Sequence, residues 1–206
     1  ETTTGYTFLS SIVDMDDDGW PDIYFLNDYL GNKPNIMLRN RGEKGPPFDD
    51  VSAATFTGIQ VESMGMGIGD INGDLLPDFV ISNLFDPPLL ESLEDGSWLQ
   101  TNKVRALTTA QPDPEDGNYI TWGILLVDMD NDGDLDIPAA TGPVFAEYVA
   151  VNPYEQPDFL FLREDDSFVN VAQEWGVDHV GNHRGLVAVD MNQDGLPDNY
   201  RPNCDT

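Results

Sequence analysis

The chain has 206 residues, 40% of them hydrophobic and 10% aromatic, which is enough to build a core and argues against disorder despite the acidity. Thirty-eight Asp and Glu stand against nine Lys and Arg, a formal charge of −29, and such a surface repels phosphate backbones and anionic lipid. Nucleic acid is excluded as a partner, and so is membrane insertion, because no apolar stretch approaches the roughly 18 residues that span a bilayer.

In chain order, the first element is an apolar run, FLSSIV, followed by the acidic nonapeptide DMDDDGWPD (14–22) and a second apolar run, IYFLN. Apolar run, Gly- and Pro-containing acidic turn, apolar run reads as a β-hairpin with the acidic segment at its tip. NIMLRN and FDDVSAA follow as two further strands. The arrangement returns as MGMGIG, DINGDLLPD (70–78) and FVISN, where the glycines suit close packing of an inner strand. After a loop rich in Pro, Asp and Gly, QPDPEDGN (111–118), it returns as TWGILLV, DMDNDGDLD (128–136) and IPAATG, with DFLFLRE and FVNVAQE behind. The last copy is RGLVAV, DMNQDGLPD (190–198) and the more polar NYRPN. The nonapeptides start 56, 58 and 62 residues apart, the period of a supersecondary unit of several strands. VAQEWG alone suggests a helical turn. The expected fold class is all-β: a β-propeller-like array of about four four-stranded blades, the last incomplete, forming a single repeat domain over residues 1–206.

The nonapeptides place Asp at position one, Asp or Asn at three, and Asp at five and nine. Carboxylates so close resist joint ionisation unless a cation lies between them. The donors are hard oxygens with no His or Cys, which selects Ca²⁺, Mg²⁺ or Mn²⁺ over zinc or copper. Calcium fits best, because a short flexible loop of side-chain and carbonyl oxygens suits its six to eight ligands, whereas Mg²⁺ demands a stricter octahedron. Glycine at position six supplies the positive φ that curls the loop, and Leu75 stands there in the second copy. An EF-hand begins similarly but needs a bidentate Glu at position twelve and flanking helices. Position twelve is Phe25, Ile81, Ala139 and Arg201, and the flanks are strands, so that reading fails. A solvated acidic turn would explain one such segment; four in the same register call for a common ligand.

The pattern D-x-D/N-x-D-G-x-x-D on a strand-turn-strand unit with a period near sixty resembles the FG-GAP or VCBS-type repeat of integrin alpha-subunit propellers. The stretch DGWPDIYFLND, with NIMLRN and FDDVSAATFTGI after it, is most similar to repeats of cartilage acidic protein and its bacterial relatives. The resemblance implies one blade per repeat, and calcium held by side chains at positions one, three, five and nine and the carbonyl at seven. Carried over, the sites are Asp14, Asp16, Asp18, Asp22 and the Trp20 carbonyl; Asp70, Asn72, Asp74, Asp78 and the Leu76 carbonyl; Asp128, Asp130, Asp132, Asp136 and the Asp134 carbonyl; Asp190, Asn192, Asp194, Asp198 and the Leu196 carbonyl. Up to four Ca²⁺ ions are implied, the second site departing furthest from the pattern through Leu75 and Asn72.

Thirteen residues precede the first nonapeptide and eight follow the last, so the chain holds three repeats and a half. ETTTGYTF at the N-terminus joining the last hairpin, strand pairing with a neighbouring subunit, or further blades elsewhere would each complete it. No G-x-S-x-G, phosphate-binding loop or H-E-x-x-H is present, and His179 and His183 read as loop residues. Trp20, Trp98, Trp122 and Trp175 read as core, with sugar stacking the other option. Cys204, the one cysteine, excludes an internal disulfide and reads as a disordered tail residue or an intermolecular bridge. The resulting expectation is a non-catalytic, calcium-binding structural protein, secreted to the cell surface or beyond, forming a homo-oligomer or filament by strand pairing between subunits. A ligand-binding segment of a larger adhesion protein, with a protein or glycan ligand, and a carbohydrate-active enzyme are the alternatives.

Overall fold

The computed structural model describes residues 6–28, 33–42, 48–111, 117–144 and 156–204. Residues 1–5 of the N-terminal segment and 112–116 of the QPDPEDGN loop lie outside this set. β1 (Tyr6–Val13), β2 (Asp22–Asp28), β3 (Ile36–Asn40) and β4 (Phe48–Asp50) form an antiparallel sheet in chain order, and so do β5 (Met66–Gly69), β6 (Asp78–Ile81), β7 (Leu89–Ser92) and β8 (Trp98–Gln100). The third sheet joins β9 (Thr121–Ile124) and β10 (Ile137–Thr141), then passes over the short β11 (Gln156–Pro157) to β12 (Phe159–Glu164) and β13 (Ser167–Asn170). One helical turn, α1 (Ala172–Trp175), ends at Gly176 with φ +67°, the left-handed cap that only glycine takes freely. β14 (Val180–Gly181) pairs with β11, and β15 (Val187–Val189) pairs with β16 (Asp198–Tyr200) as a sheet of two strands. All four acidic nonapeptides lie at hairpin tips, between β1 and β2, β5 and β6, β9 and β10, and β15 and β16.

The fold is all-β as expected, with three four-stranded sheets and a fourth reduced to one hairpin. Of the three ways to complete the last unit, docking of ETTTGYTF on that hairpin is not what its described part does: Tyr6 and Thr7 pair with Asp28 and Asn27 of β2. Sheet twist and apolar alternation explain the stacking. Phe79 and Ile81 of β6 pack with Met15, Tyr24, Leu26 and Met37 of the first sheet, whereas Val80, between them in sequence, packs with Ile137, Phe159 and Phe161 of the third. β6 and β10 are therefore buried throughout, as strands covered on both faces must be. Offset ring contacts fill the first interface, Tyr24 to Phe79 at 5.6 Å and Phe79 to Trp98 at 5.7 Å. A smaller core of Met129, Leu160, Val171 and Ala172 lies beneath the helical turn.

The inner strands touch backbone to backbone. A Cβ on Gly67 would lie 2.6 Å from the carbonyl carbon of Leu125, and one on Gly69 would lie 3.3 Å from Leu126 Cβ. The glycines of MGMGIG thus serve the close packing expected of them, and β5 and the strand of β9 run side by side in one direction. Their acidic loops consequently emerge at the same end of the stack. Among the described residues no helix is long and apolar enough to cross a membrane.

An ion pair within the second unit stands where that unit meets the third sheet. Arg105 donates to Glu91 at 2.5 Å, Thr101 donates to the same carboxylate, and the Phe168 N–H donates to the Arg105 carbonyl at 2.7 Å. Burial pushes the Glu91 carboxyl up, but hydrogen bonds from Arg105 and Thr101 outweigh it and hold it below the ordinary glutamate range. Arg105→Ala strands the carboxylate and is expected to lower unfolding free energy by about 3–5 kcal/mol in a denaturant titration. Replacing both partners (Glu91→Leu with Arg105→Met) should be far milder, and equal losses from the two variants would refute the pair's role.

Candidate functional site

The four acidic loops share one hydrogen-bond scaffold. The position-one carboxylate accepts the N–H groups of positions five and six: Asp14 from Asp18 and Gly19 (3.2 and 2.8 Å), Asp70 from Asp74 and Leu75 (3.1 and 2.9 Å), Asp128 from Asp132 and Gly133 (3.2 and 3.0 Å), and Asp190 from Asp194 and Gly195 (3.1 and 3.0 Å). The position-five carboxylate accepts the N–H of position seven, at 2.8 to 2.9 Å, in Asp18, Asp74, Asp132 and Asp194. These bonds wind the segment into a tight coil with its carboxylates drawn inward. Two residues per loop take positive φ, not one. Position six does so as expected, including Leu75 at +70°, and position four joins it with Asp17 at +54°, Gly73 at +79°, Asn131 at +60° and Gln193 at +63°. Leu75 is 88% exposed, so its strained conformation is not repaid by burial.

Position nine behaves differently from the rest. Asp22 and Asp78 are buried at the first residue of the returning strand, and Asp136 is buried one residue before it, in a bridge with Val127. One carboxylate oxygen accepts the N–H of position two, Met15, Ile71 or Met129, at 2.7 to 3.0 Å. The other accepts an N–H from the third strand of the same sheet: Asn40 at 2.7 Å, Ser92 at 2.7 Å and Arg163 at 2.9 Å. Burial pushes the Asp136 carboxyl up to about 6; the two N–H donors pull against this, and Asp130 and Asp132 add to it. Burial likewise raises Asp78. Asp16 is raised by burial first and then by Asp18, Asp22 and Asp14, with Arg39 opposing. In the outermost loop Asp194 is lowered instead, by hydrogen bonds from the Leu196 N–H and the Asn192 side chain.

Ligand-type oxygens converge in two loops. Asp14, Asp16 and Asp18 each bring a carboxylate oxygen within 4.8 Å of the others, and so do Asp128, Asp130 and Asp136. The oxygens are hard and anionic, a set that suits Ca²⁺. Asn72 and Asn192 accept the N–H of Asp74 and Asp194 in the second and fourth loops, which carry one carboxylate fewer at positions one, three, five and nine. Asp22 stands outside the first trio and Asp132 outside the third. Trp20, Leu76, Asp134 and Leu196 enter the scaffold through the N–H groups that bond to position five.

Arginines bind the loops to the strands and to each other, which the sequence pattern alone did not disclose. Arg39 on β3 lies 3.9 Å from Asp16, and Arg163 on β12 lies 3.3 Å from Asp134 while donating to the Ile71 carbonyl of the second loop. Asn131 Nδ2 donates to the Gly195 carbonyl at 2.7 Å, joining the third loop to the fourth. Other residues depart from expectation. Trp98 is buried, but Trp20 is 50% and Trp175 44% exposed, and Trp122 lies under the Arg184 guanidinium, 3.9 Å from the ring centroid. His183 is buried, its Nδ1 2.8 Å from Asp158 Oδ2, with Arg201 Nη1 2.9 Å from the same oxygen, so it belongs to a structural ion cluster. Exposed Cys204 is held by its backbone, donating to the Asn182 carbonyl at 2.9 Å, and is no loose tail residue.

A family model described as the FG-GAP-like repeat matches residues 14–81, a stretch that holds the first two acidic loops and supports an FG-GAP relationship there. No curated protein matches the chain.

The two kinds of aspartate should separate on mutation in chelator. Asp78→Ala leaves the N–H groups of Ile71 and Ser92 without an acceptor in the core and is expected to cost about 3 kcal/mol; exposed Asp74→Ala should cost under about 1 kcal/mol. Leu75→Gly relieves the left-handed strain and should raise unfolding free energy by about 1 kcal/mol, read as a higher denaturant midpoint at unchanged slope.

Proposed function

We propose that this chain is a non-catalytic, calcium-binding module of the propeller type, serving ligand binding or adhesion outside the cell. The observation that carries the reading is the shared loop scaffold, which spends backbone N–H groups on carboxylates and draws three of them within 4.8 Å in the first and third loops. The FG-GAP-like match over residues 14–81 supports it, since repeats of that kind are generally non-enzymatic and typically extracellular. Calcium would sit among Asp14, Asp16 and Asp18 with Asp22 behind them, and among Asp128, Asp130 and Asp136 with Asp132 beside them. The sites at Asp70, Asn72, Asp74 and Asp78, and at Asp190, Asn192, Asp194 and Asp198, would bind more weakly through their lower charge. Each ion would neutralise a carboxylate cluster at a hairpin tip and so brace two strands, and folding and occupancy would be coupled.

Isothermal titration calorimetry with Ca²⁺ and thermal unfolding with and without chelator test this. Extracellular calcium modules bind near ~10⁻⁴–10⁻³ M, and at about ten times the dissociation constant each site contributes about 1.4 kcal/mol. The melting temperature should rise with calcium, and Asp14→Ala with Asp18→Ala should remove one site from the stoichiometry. A melting temperature indifferent to calcium and chelator alike would sink the proposal.

A second reading, assembly into homo-oligomers or filaments, is favoured by exposed apolar side chains at both ends of the stack: Tyr6, Phe8 and Ile12 on β1, and Val187, Val189 and Tyr200 on the last hairpin. Concentration-dependent sedimentation would support it, and a monomer at every concentration would remove it.

A further inference from the structure

One residue of the acidic loops is not accounted for by their geometry. Position four takes positive φ in every loop, yet Asp17, Asn131 and Gln193 adopt it without being glycine, so the backbone does not require Gly73. Packing does not require it either, because a Cβ on Gly73 would meet nothing within 4 Å. What glycine does at this place is leave the peptide nitrogen that follows Asn72 uncovered. Asn72 and Gly73 form the one Asn-Gly pair in the chain, and both are exposed. Asn72 stands at position three, where the first and third loops carry Asp16 and Asp130.

The hydrogen bonds around this pair favour attack of that nitrogen on the Asn72 side-chain amide. Asn72 Oδ1 accepts the Asp74 N–H at 3.0 Å, which closes a small ring containing both Asn72 Cγ and Gly73 N and draws electrons from Cγ. The Gly73 N–H donates to Asp70 Oδ1 at 2.7 Å, a bond that position four makes in no other loop among the described residues. It draws on the proton in the peptide plane and leaves the face of the nitrogen open. The fourth loop supplies the contrast. Asn192 Oδ1 likewise accepts the Asp194 N–H, at 2.8 Å, but its Nδ2 is held by Asp194 Oδ2 at 2.9 Å and Gln193 follows it. The Nδ2 of Asn72 donates to nothing among the described residues.

From this geometry we infer that Asn72 is a self-modifying residue, which converts to aspartate by intramolecular deamidation and so gives the second loop the acidic set of the first and third. Gly73 N bonds to Asn72 Cγ, the Cγ–Nδ2 bond breaks, and Nδ2 leaves as ammonia with the Gly73 proton. Water then adds across the new bond, its hydroxyl to Cγ and its proton to Gly73 N, so no oxidant, reductant or cofactor is consumed. Position three thereby gains a carboxylate alongside those of Asp70, Asp74 and Asp78. The modification rests on the loop's own geometry. Its consequence rests on the calcium reading proposed above, in which added ligand charge tightens an oxygen site.

The test is incubation of the full chain at mildly alkaline pH, its fold followed by circular dichroism, with peptide mapping by mass spectrometry at intervals. The fragment holding residue 72 should gain the mass of an amide-to-acid change and co-elute with a synthetic standard carrying aspartate there, while the fragment holding Asn192 stays unchanged. Gly73→Gln copies the fourth loop, where Gln193 holds φ +63°, so this variant should keep the loop and convert at least about tenfold more slowly. An unchanged residue 72, equal rates at Asn72 and Asn192, or equal rates in the parent chain and Gly73→Gln overturns the inference. So does a product that is isoaspartate alone, because that linkage lengthens the main chain and displaces the carboxylate from position three. Asn72→Asp supplies the product directly, and in calcium calorimetry it should tighten one site by about tenfold. Calcium binding that this substitution leaves unaltered overturns the gain in the second loop. If neither chain binds calcium, the calcium reading falls by itself, and the mass change still decides the modification.

Discussion

The aspartate at the ninth position of each loop is the constraint on which the complete sheets depend. Asp22, Asp78 and Asp136 are carboxylates at the head of a buried strand, a placement that is costly unless both oxygens are satisfied. Each accepts two backbone N–H groups, one oxygen from the start of its own loop and the other from the third strand, and Asp78 accepts the Ser92 hydroxyl as well. A single side chain therefore fixes the size of the loop, its closure and the register of the next strand. The balance is incomplete: burial still raises Asp78 and Asp136, so hydrogen bonding offsets desolvation without cancelling it. A cation at the adjacent carboxylates, as proposed, would act in the same direction as those donors and complete the compensation.

From that anchor the rest of the stack follows. With the loops closed, the two inner hairpins present alternating apolar side chains to two neighbours, and β6 and β10 become covered on both faces. The inner strands then approach until glycine is needed at 67 and 69, and this common direction brings the acidic loops to one end. There they are tied by Arg163 between the second and third loops and by Asn131 between the third and fourth. The scarce basic residues are spent at junctions: Arg105 in the core pair, Arg39 and Arg163 at loops, Arg201 beside Asp158. A chain with nine basic residues against thirty-eight acidic ones has few to leave on open surface.

Much of this was legible in the sequence because it is local. The hairpins around 14–22, 70–78, 128–136 and 190–198, the glycine strand, the helical turn and the left-handed strain at Leu75 each depend on residues within about ten positions of one another. The outer strands of the second unit, Leu89–Ser92 and Trp98–Gln100, escaped because they are short and set among Pro, Asp and Gly that read as loop. Position four of the loops escaped because Asp17 and Gln193 carry no glycine signal, their positive φ being imposed by bonds from either side. The double duty of position nine was hidden for a topological reason: its partner lies 14 to 27 residues away at no fixed spacing, so no motif can encode it. Trp20 and Trp175 show the complementary failure, since large aromatic area predicts burial only where a neighbouring layer exists to cover it.

The last hairpin clarifies what the neighbours contribute. Its loop repeats the bonds of the others nearly atom for atom, with Asp190 holding Asp194 and Gly195 and Asp198 holding Met191. Yet its position-two and position-nine residues, Met191 and Asp198, are exposed and half-buried, where the counterparts in the other three loops are buried. The shared aspartate pattern thus yields the same loop hydrogen bonds in both settings, so loop folding is a property of the nonapeptide. The burial of positions two and nine is a property of the stack. It follows that burial by adjoining strands, and not the acidic sequence by itself, would set how much each loop gains from the cation proposed above. The interior loops, whose position-nine carboxylates the stack buries, are the ones where the proposed ion would stabilise the fold most.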